Sequence, residues 1–197
     1  MRRRPLLLLD CDGSLLASED ELASGCFDDA LSELSGRLWP PDVFVPLEPG
    51  QTVRGAVRAL GVDPEAWLQR SLELYFDRFD DGAAADWRLQ KDVEPTLRRL
   101  ALEGYRLALV SARPEAIVRF RLERLGIGGY FAHGTGAFGC EADSRDDLLR
   151  LALWRSACTP RHAVLVTDSP AEVSGLTAVA VRSLAALPAQ LSERRAA

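Results

Sequence analysis

Four consecutive leucines, Leu6 to Leu9, run directly into Asp10-Cys11-Asp12-Gly13-Ser14. A short uninterrupted apolar run, with Pro5 before it and acidic residues and glycine after it, is what a strand covered on both faces requires, and such strands belong to parallel sheets. In open α/β sheets ligands collect beyond the carboxyl ends of the strands, so two carboxylates at this point would sit at a crevice. Asp-x-Asp-Gly also opens turns and caps helices with no further purpose. The motif alone leaves both readings open.

The next seventy residues contain no second strand of this kind. From Leu15 to about Ala85 the chain reads as helical. Glu19 to Leu34 places Leu22, Cys26, Phe27, Leu31 and Leu34 on one face, and Trp39-Pro40-Pro41 ends it, with Pro41 to Gly50 expected as a loop. Thr52 to Leu60 makes a shorter helix stopped at Gly61. Asp63-Pro64 is an N-cap followed by proline in the first turn, and the helix it opens is expected to bury Leu68, Leu72, Tyr75, Phe76 and Phe79. From Asp86 the pattern changes to helices alternating with apolar strands, the signature of βαβ units. Leu107 to Val110, a short strand near Tyr130 to Ala132, Ala163 to Val166 and Thr177 to Val181 are the expected strands. Pro114 is expected to open a helix with Ile117, Phe120, Leu122 and Leu125 inward, and Ser144 to cap another. Gly134 to Gly139 is expected as a loop, since it lacks the lysine and strand-to-helix placement of a P-loop. The fold class is therefore α/β: a Rossmann-like parallel core from residues 1-15 and 86-197, with a small helical bundle inserted as residues 16-85.

Composition narrows the function. A chain of 197 residues with 47% hydrophobic content can bury a substantial core. Its net charge of −5, with basic residues scattered, argues against nucleic acid or an anionic membrane as partner. Arg2-Arg3-Arg4 imitates a secretory leader, but the apolar run after it is too short, and no window approaches the roughly 18 apolar residues of a membrane span. Cys11, Cys26, Cys140 and Cys158 form no C-x-x-C pair, so neither a disulfide framework nor a zinc site is expected, and a reduced, cytoplasmic setting fits best. His133 and His162 stand alone and receive no role. The four tryptophans, Trp39, Trp67, Trp87 and Trp154, are expected in the core.

Three apolar strands end in polar residues: Asp10 with Asp12, then Ser111, then Asp168 with Glu172 four residues on. Side by side in one sheet, these ends would gather carboxylates around one point, the oxygen-rich setting that Mg²⁺ prefers. Taken in order, Asp10-Cys11-Asp12-Gly13-Ser14, Ser111, Arg145 at a helix start and Asp168-Ser169-Pro170-Ala171-Glu172 resemble the motif series of the haloacid dehalogenase superfamily. The resemblance spans about residues 5 to 182, and the layout is similar to that of the helical-cap phosphatases of the phosphoglycolate phosphatase group.

The resemblance implies a Mg²⁺-dependent phosphatase acting on a small phosphorylated metabolite. Asp10 would be the nucleophile and Asp12 the general acid and base; Asp10, Asp12, Asp168 and Glu172 would hold the metal; Ser111, Ala112 and Arg145 would bind the phosphoryl group. Arg54, in the cap loop Gly50-Gln51-Thr52-Val53-Arg54, would reach the substrate. Three features depart from the family pattern: arginine in place of the usual lysine at 145, Thr167 in place of a frequent glycine, and glutamate at 172. A phosphomutase of the same superfamily, or a protein that kept the fold and lost turnover, are the alternatives. Substrate identity and oligomeric state are left open.

Overall fold

The structure, a computed structural model, describes residues 4–11, 14–40, 50–80, 82–167, 176–180 and 184–196. Asp12, Asp168 and Glu172, and the loop expected over 41–49, lie outside the described residues.

The sheet is built on the leucine run. β1 (Leu6–Asp10) pairs in parallel with β2 (Arg106–Ser111) on one side and with β4 (Ala163–Thr167) on the other. A two-residue strand, β3 (Ala137–Phe138), flanks β2, and β5 (Thr177–Ala180) flanks β4, giving the all-parallel order β3-β2-β1-β4-β5 among the described residues. Alternate leucines face opposite layers. Leu7 and Leu9 join a core cluster with α4 (Val93–Leu102), α5 (Glu115–Arg124) and α7 (Leu187–Ala196), whereas Leu6 and Leu8 pack with α6 (Arg145–Arg155). Both faces of β1 are covered, which is why no polar residue interrupts it.

Between β1 and β2 the chain forms α1 (Glu21–Ser35), α2 (Val53–Ala59) and α3 (Pro64–Arg78). Their starts are set by local chemistry: the Asp20, Thr52 and Asp63 side chains accept from the backbone N–H groups of Ala23, Gly55 and Ala66. Phe27, Leu31, Val57, Trp67 and Tyr75 make a second core from these helices. That core also includes Trp87 and Ile117, so α5 carries apolar residues on two sides, one toward the sheet and one toward the helical insert.

Several expectations need correction. Residues 128–130 form a 3-10 turn, and the short strand lies instead at Ala137–Phe138, inside the glycine-rich stretch expected as a loop. Close approach explains the glycines. A Cβ on Gly136 would lie 2.2 Å from the Leu109 carbonyl oxygen, and one on Gly139 would lie 1.6 Å from that of Ala112. These glycines let a minimal edge strand press against β2 and the turn after it. In α3, Phe76 is 47% exposed, and Trp67, Ser71 and Leu74 join Tyr75 in the interior. Trp154 is 76% exposed on α6. In α5 the buried set is Ile117, Val118, Arg121 and Leu122, whereas Phe120 and Leu125, expected inward, are only partly buried.

Candidate active site

The order of the strands creates one special place. From β1 the chain moves outward to β2 and β3, then returns to the other side of β1 to place β4 and β5. The reversal falls between β1 and β4, and in sheets of this kind the crevice opens at that point, outside the carboxyl ends of the strands. Asp10 is the last residue of β1, Ser111 of β2 and Thr167 of β4. The register sets Leu9 beside Val166 and Asp10 beside Val110, so these three termini lie next to one another.

Asp10 is largely buried, at 8% exposure. A carboxylate so placed requires strong partners to stay ionised. Two converge on its Oδ2: the Arg145 Nη2 donates at 2.5 Å and the Thr167 hydroxyl at 3.1 Å. Arg145 Nη2 also donates to the Thr167 Oγ1 at 3.3 Å, closing a triangle in which the hydroxyl gives one hydrogen bond and receives another. The Asp10 side chain is thereby fixed by charge and by direction.

Arg145 reaches this position because Ser144 caps α6, its hydroxyl accepting from the Asp147 N–H at 3.2 Å. Arginine in a first helical turn opposes the helix dipole, a penalty of about 0.3–1 kcal/mol. Its placement therefore does not serve the helix; it serves Asp10. The Arg145 Nε is buried and has no hydrogen-bond partner. A buried charged donor of this kind invites an anionic acceptor.

Ser111 is fully buried, and its Oγ accepts from the Arg113 N–H at 3.1 Å. This turns the chain after β2 and orients the Ser111-Ala112-Arg113 segment beside Asp10. The start of α2 is laid against the same segment. Val53 N–H donates to the Ala112 carbonyl at 3.2 Å, Arg54 N–H to the Gly139 carbonyl at 3.0 Å, and Arg145 N–H to the Gly50 carbonyl at 2.9 Å. Thr52 Oγ1 donates to the Ala142 carbonyl at 2.6 Å. Gly55 is needed here, because a Cβ would lie 2.1 Å from the Asp143 carbonyl oxygen.

The Arg54 side chain has other partners. It pairs with Glu65 at 2.6 Å and with Asp143 at 3.1 Å, and donates to the Cys140 carbonyl at 3.3 Å. The structure thus brings Asp10, Arg145 and Thr167 into contact and sets Ser111 and Ala112 on the adjoining strand end, while the Arg54 guanidinium is held by the acids of α3 and of the loop before α6. Thr167 is the residue the sequence reading passed over. Its departure from glycine carries no role by itself; its position as the last residue of a buried strand, directly before an aspartate, is the available signal. Among the described residues, no three His, Cys, Asp or Glu side chains gather to hold a metal ion, and no helix is long and apolar enough to cross a membrane.

Comparison with known proteins bears on the family and the fold. Residues 7–186 match the haloacid dehalogenase-like hydrolase family. A phosphoglycolate phosphatase of Pseudomonas putida is 28% identical over 187 residues, covering 90% of this chain and 67% of that protein. A phosphoglycolate phosphatase of Aquifex aeolicus is 26% identical over 172 residues, covering 85% and 78%. Among solved structures, CbbY from Rhodobacter sphaeroides in complex with phosphate superposes with a TM-score of 0.65 at 18% identity, covering 93% of this chain and 96% of that one. With the switch-point carboxylate and a family match over nearly its whole length, the chain belongs to the haloacid dehalogenase-like hydrolases.

Proposed function

We propose that this hydrolase is a Mg²⁺-dependent phosphatase that cleaves a small phosphate monoester through a phosphoaspartate on Asp10. The observation that carries this reading is the convergence of Arg145 and Thr167 on one carboxylate oxygen at the switch point of the sheet. The similarity to phosphoglycolate phosphatases over most of the chain supports it, and makes phosphoglycolate the first substrate to try.

The residues fit a hard divalent cation by their chemistry. Thr167, which hydrogen-bonds Asp10, precedes Asp168 in sequence, and Asp10, Asp12, Asp168 and Glu172 offer only oxygen donors. These four would hold Mg²⁺, which when bound would offset the repulsion between the carboxylates and a dianionic phosphate. The remaining steps belong to the chain's own side chains. An Asp10 carboxylate oxygen attacks phosphorus, and the bond from phosphorus to the ester oxygen breaks in line with it. Asp12 gives its proton to the departing oxygen, then takes one from the water that opens the acyl phosphate, releasing inorganic phosphate and restoring Asp10. Arg145 carries the positive charge that complements the phosphoryl oxygens. Ser111 and the backbone at Ala112 complete the phosphate cradle.

Residues 16–85 act in this reading as a cap over the carboxyl ends of the strands, excluding water other than the one consumed. The backbone bonds from Val53, Arg54 and Arg145 join the insert to the core and are consistent with that role.

Phosphate release from a panel of monoesters, phosphoglycolate and hexose phosphates included, tests the proposal. Turnover is expected with Mg²⁺ and is expected to vanish with a chelator and return on adding the metal back. Isomerisation of a hexose phosphate without net release of phosphate would replace hydrolysis by mutase chemistry, and inertness toward every ester would leave only a binding role. Thr167→Val keeps the shape of the side chain and deletes the hydroxyl. Hydrogen bonds to charged groups are worth about 1.5–3 kcal/mol, so kcat is expected to fall about 10- to 100-fold with KM little changed. An unchanged kcat would remove Thr167 from the machinery.

A further inference from the structure

The opposite end of the sheet carries a second concentration of positive charge. A cavity of about 530 Å³ opens there, lined by Arg4, Gly104, Arg106, Ala157, Cys158, Thr159 and His162. Arg4 lies just ahead of β1, Arg106 is the first residue of β2 and pairs with Leu6, and His162 immediately precedes β4. All therefore stand at the amino ends of the three central strands. With a rise of about 3.3 Å per residue over a five-residue strand, this cavity is roughly 16 Å from Asp10.

Among the described residues, two arginines and a histidine line it, and no carboxylate does. Each basic group is held in place by a neutral partner. Arg4 Nη1 donates to the Tyr105 hydroxyl at 3.3 Å, with the guanidinium 5.0 Å from the centre of that ring. Arg106 Nη1 donates to the Ser156 carbonyl at 2.8 Å. The His162 Nδ1 pairs with the Thr159 hydroxyl at 2.9 Å. These contacts orient the groups, and among the described residues no carboxylate pairs with any of the three. Several arginines elsewhere are instead paired with acid: Arg54, Arg70, Arg78, Arg145 and Arg155 face carboxylates. The loop behind the cavity includes Ala157 at φ 45°, a left-handed conformation that a non-glycine residue adopts at an energetic cost.

We infer that this cavity is a second anion site, separate from the Asp10 crevice, for a small phosphate-bearing molecule gripped by Arg4, Arg106 and His162. Guanidinium groups match phosphoryl oxygens in geometry as well as charge, and the volume is within the range of small-ligand pockets. The inference is independent of the reaction assigned to Asp10.

The two histidines, His133 and His162, supply a local probe in the full-length protein, since the C–H resonances of two rings are assigned by a single His162→Gln variant. In metal-free buffer, pyrophosphate is expected to shift the His162 resonance saturably and leave that of His133 in place. Arg4→Gln with Arg106→Gln is expected to weaken this binding by about tenfold or more, as the loss of two charge-assisted contacts requires. Arg4→Gln alone, which leaves the bond to Ser156 intact, is expected to weaken it less. Citrate is the comparison: tighter binding of pyrophosphate supports a phosphate site, and tighter binding of citrate overturns that choice in favour of a carboxylate ligand. A His162 resonance unmoved by millimolar pyrophosphate, or moved equally in the wild type and the double variant, would overturn the site altogether. Ester hydrolysis measured on the same variants separates the two proposals, because it is expected to persist when the cavity is disabled.

Discussion

Asp10→Asn is expected to abolish phosphate release while leaving the protein folded. The amide has nearly the shape of the carboxylate, and its oxygen can still receive the hydrogen bonds that Arg145 and Thr167 direct at Oδ2. It is not a nucleophile toward phosphorus. Removing the nucleophile of an enzyme that works through a covalent intermediate costs a factor of about 10³ or more in kcat, because the remaining groups act only around the bond it forms. Stability moves much less. The exchange removes the charge of one partner and keeps a hydrogen bond that Arg145, itself partly exposed, still assists, a difference of about 1–2 kcal/mol. Steady-state phosphate release and a urea unfolding curve on the same preparation separate the two effects. Activity above about a tenth of wild type, a barrier change under the 1.4 kcal/mol that each factor of ten represents, would place the nucleophile elsewhere. Loss of the cooperative unfolding transition would make Asp10 a structural residue.

The position of this site was legible because its determinants are local. A run of apolar residues defines a strand covered on both faces, and the first polar residue after it marks the carboxyl end, so Asp10, Ser111 and Thr167 could be set at strand ends from the text of the sequence. Ser144 before Arg145 marked a helix start by the same kind of logic. What lay beyond reach was pairing at a distance. Nothing near Thr167 in sequence says that its hydroxyl meets Asp10, and nothing near Arg54 says that Glu65 and Asp143 occupy its guanidinium. The short strand β3 was missed for a related reason. Two residues are too few for periodicity to register, and the glycines around them look like a loop until the backbone of β2 is found pressed against them. Arg121 shows the same limit most clearly. On a helix with apolar residues on two sides, a cation reads as the solvent face, yet it is 2% exposed.

That burial sets up the largest expected change in stability. The Arg121 and Asp20 side chains are 2% and 1% exposed and face each other at 3.6 Å. Arg121 Nη2 donates to the Ser18 carbonyl at 2.8 Å, and its guanidinium lies 5.2 Å from the centre of the Trp87 ring. Asp20 receives the Ala23 N–H at 3.1 Å as the cap of α1 and the Tyr75 hydroxyl at 3.0 Å from α3. Burial foremost, then the Asp20 charge, pushes the Tyr75 hydroxyl far above its ordinary range, so it stays a proton donor. The ion pair thus joins α5 to the start of α1, and the Tyr75 hydroxyl extends the link to the last turn of α3. Arg121→Met keeps the length and apolar stem of the side chain but strands the Asp20 carboxylate. Breaking a buried pair from one side costs about 3–5 kcal/mol, mostly through the charge left without its partner. For a chain of this size each kcal/mol lowers the melting temperature by about 2–4 °C, which predicts a fall of roughly 10 °C or more. Adding Asp20→Asn to Arg121→Met removes the stranded charge and keeps an oxygen to cap α1, so the double variant is expected to recover part of the loss. Thermal and urea unfolding of the wild type, both single variants and the double variant complete the cycle. Additive losses, or a cost below about 1 kcal/mol for Arg121→Met, would mean that water or other donors compensate Asp20, and that the helical insert is held to α5 by its aromatic contacts instead.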